Sequence, residues 1–341
     1  MSNRNRATIM LNVKCDSSIG TGHFFRTLQV ARQLNERFPI IFCLDPNSYL
    51  EGILELEHIA YSTEADIVSV GKRENISLFF FDGLSNDEGL FERLKGNIPD
   101  VKIVAMGYFN YDNPYVDVII NLINHHPHLI RPTANHIVYC ESLDYAIVRH
   151  EFEHLLRKER TIHSQVREIL VTFGGKDASG STATTLSLLK HLKTERLKLD
   201  IILGTFFDSR KAIENIITNM SCDAYIHESV PNIEDYMFPA DLAFCGAGVT
   251  LIELLSIGTP TIVIPQNKRE RRFAEKLEKE GSIVLINNPS ISENAMNLIE
   301  EVFKSHQKRN EMSKAGKMLF DGKGAERACR VIEQALEMPV I

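Results

Sequence analysis

Cys245-Gly-Ala-Gly-Val-Thr250, followed at once by Leu251-Ile-Glu-Leu-Leu-Ser-Ile-Gly258, reads as a buried strand, a turn of small residues and a helix that starts at the turn. Such a junction is the hinge of a β/α unit, and repeated β/α units build parallel sheets. It leaves backbone N–H groups pointing outward at the positive end of a helix, which makes it a seat for phosphate. In the Gly246-Ala247-Gly248 turn the two glycines let a ligand approach the main chain with no side chain in the way. Thr250, beside Val249, can cap the helix or donate to a phosphate oxygen, and Glu253 sits one turn on, where a carboxylate could take both hydroxyls of a ribose. The same letters also suit an ordinary strand–helix connection, so the functional reading leans on further glycine junctions.

Two more are present. Asp16-Ser-Ser-Ile-Gly-Thr-Gly-His-Phe-Phe-Arg26 follows the first apolar run and opens the first long amphipathic one. Gly20 and Gly22 give a flexible turn, and His23 falls at or near the helix N-terminus, where the dipole disfavours imidazolium and leaves a neutral ring able to act as a base. A capping or satisfied histidine is the alternative. The spacing is not G-x-G-x-x-G and implies no dinucleotide site. Val171-Thr-Phe-Gly-Gly-Lys-Asp177 supplies a tight turn at Gly174 and Gly175, expected on the same side of a sheet as Gly246 to Gly248. Two glycine turns at adjacent strand ends suit a diphosphate, while Asp177 reads equally well as a helix cap. Asp82, ahead of Gly83 at the end of an apolar strand, is a candidate cleft residue.

Other conspicuous patterns carry less. Lys268-Arg-Glu-Arg-Arg272 is a charge run at the start of a helix, most simply a solvated face, with a role toward an acidic ligand left open. His125, His126 and His128 share one loop without the Asp, Glu or Cys that metal ligation would bring, so no metal is expected. Six cysteines are scattered without a CxxC pair and read as buried reduced thiols.

The 341 residues, 44% hydrophobic and 24% charged, suit a globular protein of two domains. A net charge of −7 argues against a nucleic-acid binder. No apolar run approaches the ~20 residues of a membrane span, and the first residues show no signal peptide, so a cytoplasmic protein without an integral membrane segment is expected. Strands are expected at Thr8–Val13, Ile40–Leu44, Leu78–Phe81, Lys102–Ala105 and Val118–Ile120, and again at Glu168–Phe173, Leu199–Leu203, Leu242–Cys245, Thr261–Pro265 and Ile283–Ile286. Helices fall between them, clearest at His23–Phe38 with Phe24, Leu28, Ala31 and Leu34 at helical spacing. The expected architecture is α/β: an N-terminal Rossmann-like domain (1–147), a charged linker (148–165), a C-terminal Rossmann-like nucleotide-binding domain (166–320), and a final segment (321–341) whose helix packs back on the first domain. Ligands of such sheets bind beyond the C-terminal strand ends, so two halves facing a central cleft would bring a nucleotide and a reacting group together.

Taken in order, Ile19-Gly-Thr-Gly-His-Phe-Phe-Arg26, Tyr145-Ala-Ile-Val-Arg-His-Glu-Phe152, Leu170–Asp177, Gly246–Gly258 and Asp321-Gly-Lys-Gly-Ala325 resemble the PseG/SpsG-type proteins. These are UDP-2,4-diacetamido-2,4,6-trideoxy-β-L-altropyranose hydrolases of pseudaminic acid synthesis, themselves similar to MurG-like GT-B glycosyltransferases. The resemblance implies a GT-B fold, UDP on the C-terminal domain and no cofactor. It makes His23 the base that activates water, sets Gly246, Gly248, Val249 and Thr250 along the diphosphate, gives the ribose to Glu253, and sets Ser229–Asn232, with Val230, beside the uracil. Gly20, Gly22, Arg26, Asp82, Gly174 and Gly175 complete the expected substrate contacts.

Departures fall on the sugar side. Where that family has Asn-Gln after the strand following Gly258, the alignment sets Arg269-Glu270. Its Asp-Asp-Leu appears as Met106-Gly107-Tyr108, and its Asp-His-Tyr only as Asp82-Gly83-Leu84. The expected function is therefore hydrolysis of a deoxy-amino UDP-sugar by water at the anomeric carbon, in surface-glycan or nonulosonic acid synthesis. Transfer of the sugar to an acceptor hydroxyl, or nucleotide-sugar binding without catalysis, are the alternatives. Neither the sugar nor the oligomeric state is legible.

Overall fold

The computed structural model describes residues 7–14, 22–83, 88–107, 113–123, 137–177, 179–192, 197–228, 230–287 and 292–339. The chain divides into two compact units: Met1–Ile147 with Lys323–Ile341, and Val148–Gly322.

Among the described residues the first unit holds seven parallel strands: β1 (Thr8–Val13), β2 (Ile40–Leu44), β3 (Ala60–Ser62), β4 (Ile76–Asp82), β5 (Lys102–Met106), β6 (Val118–Asn121) and β7 (Val138–Glu141). They lie in the order β3-β2-β1-β4-β5-β6-β7. The second unit holds β8 (Glu168–Thr172), β9 (Lys198–Leu203), β10 (Asp223–Glu228), β11 (Leu242–Cys245), β12 (Thr261–Val263) and β13 (Ile283–Leu285), in the order β10-β9-β8-β11-β12-β13. In each sheet the chain works outward from its first strand, then returns to that strand's other side. The reversal falls between β1 and β4 in one sheet and between β8 and β11 in the other, the positions where open parallel sheets bind ligands.

The sequence explains the central strands directly. Side chains alternate faces along a strand, and a parallel sheet is covered on both faces. On β4, Leu78 and Phe80 enter one core while Phe79 and Phe81 enter the other, so Leu78–Phe81 is an unbroken apolar run. Two helices contribute to the first of these cores. Gly22–Asn35 brings Phe24, Leu28 and Ala31, and Gly324–Glu337 brings Ala328, Cys329, Ile332 and Ala335. The two helices pack against each other, with the Cys329 Sγ 3.7 Å from the Val30 carbonyl oxygen. Gly324 is required where that last helix begins, because a Cβ there would collide with the Ala146 carbonyl.

The 148–165 segment, expected as a linker, counts with the second unit. Its charges anchor it. Arg160 donates to the Phe238 and Ala240 carbonyls. Arg309, fully buried in the His306–Leu319 helix, donates to Val302 O (2.9 Å), Phe303 O (2.7 Å), His163 O (2.8 Å) and Ser164 O (3.1 Å). Among the described residues no helix is long and apolar enough to cross a membrane.

Candidate functional site

In the first unit the candidate groups gather at the β1/β4 reversal. Asp82 is the last residue of β4, and the Gly22–Asn35 helix carries His23, Arg26 and Thr27 on its first turns. The Asp82 side chain is wholly buried and accepts four hydrogen bonds. They come from Arg26 Nε (2.8 Å), Arg26 Nη2, Thr27 Oγ1 (2.9 Å) and His23 Nδ1 (2.9 Å). Burial alone would raise this carboxyl, but the Arg26 guanidinium and the His23 ring outweigh it and hold it well below the usual carboxylate range.

His23 Nδ1 also lies 3.0 Å from Arg26 Nη2, so it stands between an acceptor and a donor and its tautomer follows the partner it engages. With its N–H directed at Asp82, the lone pair is on Nε2. The ring is 16% exposed, which leaves it an open edge. Gly83 (φ 119°) and Gly107 (φ 70°) end β4 and β5 beside this cluster. A Cβ would stand 3.8 Å from His23 Nδ1 at the first and 3.6 Å from Arg26 Nη2 at the second. Arg26 and Gln29, polar residues of the helix, are thus buried rather than turned to solvent.

In the second unit the two glycine turns follow neighbouring strands, β8 and β11. Gly174 has φ 73°, and Gly204, at the end of β9, crosses so close that a Cβ would collide with the Gly174 carbonyl oxygen. Asp177 accepts from Ser181 N and Thr182 N, each at 2.8 Å, and so caps the following helix. At the other turn Gly248 is the N-cap residue of the Val249–Ser256 helix and no side chain caps it; Thr250, expected as a possible cap, lies inside the helix. Gly248 is exposed, and Val249 and Thr250 are half-buried.

Two carboxylates of this unit have partners within it. Glu270 Oε2 accepts from Ala247 N (3.0 Å) and Gln266 N (2.9 Å), and its Oε1 accepts from Asn267 Nδ2 (3.2 Å). Ala247 N–H is therefore spent inside the protein rather than turned to phosphate, and Glu270 shapes the turn from behind. Gly246 is a glycine for this reason: a Cβ there would meet Gln266 Nε2 and Glu270 Oε2 at 3.0 Å. Glu253 is buried, 2% exposed, and paired with Arg149 through Nε–Oε1 (2.5 Å) and Nη2–Oε2 (3.1 Å).

Arg269 is half-buried on the first turn of the Lys268–Lys279 helix, and Val230 is half-buried after β10. Gly20, Leu84, Tyr108, Ser229 and the His125–His128 cluster lie outside the described residues. Among the described residues no group of His, Cys, Asp and Glu is arranged to hold a metal ion. Thr27, Gln266 and Asn267 are not signalled as site residues by the sequence, and Arg149 stands in the Tyr145–Phe152 motif with no role attached to it. An arginine whose partner is 104 residues away leaves no local pattern to find.

Residues 169–328 match the glycosyltransferase family 28 C-terminal domain. An uncharacterized protein of Methanocaldococcus jannaschii is 27% identical over 79% of this chain, and the match spans 58% of that relative's own length. The spore coat polysaccharide biosynthesis protein SpsG of Bacillus subtilis is 24% identical, with 94% of this chain and 96% of the relative covered. Among solved structures, MurG of Acinetobacter baumannii superposes with a TM-score of 0.68 at 13% identity, covering 96% of this chain and 99% of that one. Anabaena Alr3699/HepE in complex with UDP-glucose gives 0.64 at 12% identity, covering 96% and 98%. The fold is that of the GT-B glycosyltransferases, and the likeness of residues 169–328 to the family 28 C-terminal domain marks the chain as an enzyme.

Proposed function

We propose that this protein hydrolyses a UDP-sugar in the synthesis of a surface glycan. The observation that carries the reading is the His23–Asp82 pair, a histidine near a helix N-terminus oriented by a wholly buried carboxylate. With Nδ1–H given to Asp82, His23 Nε2 takes a proton from water. The water oxygen bonds to the anomeric carbon as the bond from that carbon to the diphosphate oxygen breaks, with inversion, and UDP leaves. A positioned base of this kind is worth about 10²–10⁴ in rate.

Charge grows on the departing diphosphate. On the second unit, the uncapped helix end at Gly248 to Thr250 offers fixed N–H dipoles to a diphosphate. A solved neighbour holding UDP-glucose and the family 28 match over residues 169–328 support a UDP-sugar as the ligand. The similarity to SpsG supports a surface polysaccharide as the destination.

The same family 28 match favours a second reading, in which an acceptor hydroxyl replaces water. Incubating the protein with a panel of UDP-sugars separates the two. Hydrolysis gives UDP and free sugar without acceptor, whereas transfer gives UDP only when acceptor is present. His23→Ala is expected to abolish turnover and leave UDP affinity within a few-fold. An equal loss of both would make His23 a structural residue and remove the mechanism.

A further inference from the structure

We infer that Arg149 is a positioning residue for ribose recognition, acting through Glu253. This rests on the reading that the second unit binds a uridine nucleotide. Glu253 lies one turn into the helix that begins beside Gly248, with its carboxylate almost wholly buried. A buried carboxylate is costly unless paired and hydrogen-bonded. Arg149 supplies both, one guanidinium N–H to each oxygen, so the carboxylate is held in plane by a two-pronged fork.

The fork is itself fixed. Arg149 directly precedes the 3-10 turn His150–Phe152, and its guanidinium carbon lies 5.4 Å from the centre of the buried Phe152 ring. Each carboxylate oxygen keeps a second lone pair. Two fixed acceptors side by side match the two hydroxyl donors of a ribose.

A separate observation points the same way. Glu234 is 8% exposed, and its Oε2 is buried with no hydrogen-bond partner. Burial pushes its carboxyl up, with Arg149 opposing. Arg149 is thus bonded to one buried carboxylate and feels the charge of a second, an acceptor-rich surrounding that calls for hydroxyl donors rather than a further anion.

The test measures the affinity of the full chain for UDP and for 2′,3′-dideoxy-UDP by calorimetry. Hydrogen bonds to a charged group lead to an expected wild-type preference for UDP of roughly 10- to 100-fold. In Arg149→Met the preference is expected to collapse toward about one while dideoxy-UDP binds as it does to wild type, because only the hydroxyl contacts are lost. Dideoxy-UDP binding also reports that the nucleotide seat is folded.

If Arg149→Met does not fold, Arg149→Lys keeps the charge but cannot hold both oxygens, and its preference is expected to drop well below that of wild type. A variant that loses affinity for both ligands equally, with the preference intact, overturns the inference and leaves the nucleotide reading standing. Wild-type protein that does not bind UDP at all overturns the nucleotide reading, and the inference with it.

Discussion

Asp82→Asn is the most exacting perturbation of the first unit, because it changes one atom and leaves the shape. The wild-type carboxylate accepts from Arg26 twice, from Thr27 and from His23, and none of its surface is exposed. Asparagine keeps one accepting oxygen but turns an NH₂ group toward donors that need an acceptor, and it leaves the Arg26 charge, 10% exposed, without its partner. Breaking a buried ion pair from one side costs about 3–5 kcal/mol. For a unit of this size each kcal/mol moves the melting temperature by about 2–4 °C, so a drop of roughly 6–20 °C is expected.

The pH dependence separates this from generic damage. The Asp82 pKa is depressed in the folded state, so its stabilisation is full above the unfolded value, about 3.9, and is lost as pH falls below that toward the folded value. The gap between wild type and Asp82→Asn should therefore be widest near neutral pH and narrow below pH of about 4. Melting curves followed by circular dichroism from neutral to acid pH give both quantities. A variant melting within a degree of wild type, or a gap that stays constant into acid, would refute the reasoning.

Gly248→Val should leave stability within about 1 kcal/mol, since nothing lies within 4 Å of its Cβ position and φ −100°, ψ −155° suits a branched residue. It should nevertheless weaken UDP binding measured by calorimetry; undiminished affinity would remove the phosphate seat from this turn. Gly204→Ala should do the opposite to the fold, because its Cβ would collide with Gly174 O and Gly175 Cα, both main chain. A loss of about 3 kcal/mol or insoluble expression is expected, read by urea denaturation, and a stable variant would contradict the packing described for the Gly174 turn.

What could be read from the letters alone follows the physics of burial. Strands covered on both faces, such as β4 and β11, are apolar almost from end to end and stand out. The strands that the sequence does not announce are β3, β7 and β10, which lie at the rims of the two sheets. Their residues are half-buried or exposed, and Val138 and Tyr225 even face solvent, so no apolar run marks them. The glycine turns are legible because close approach of main chain restricts what can stand there.

The charged partners are not legible. Nothing in Asp82-Gly83 foretells four donors, and Glu270 reads as a substrate contact although its oxygens hold Ala247 and Gln266. A side chain's type states what bonds it can form, whereas the folded topology decides which partner arrives.

The return of the last helix to the first unit has a consequence for synthesis. The second unit is one continuous stretch, inserted into a first unit whose two pieces are separated by its whole length. On the ribosome, the stretch made later has all its parts together before the earlier one does. The first sheet must wait, with the face meant for Ala328, Ile332 and Ala335 uncovered, until the final helix emerges. A chain interrupted in that interval would present an apolar surface for chaperones to hold and proteases to find.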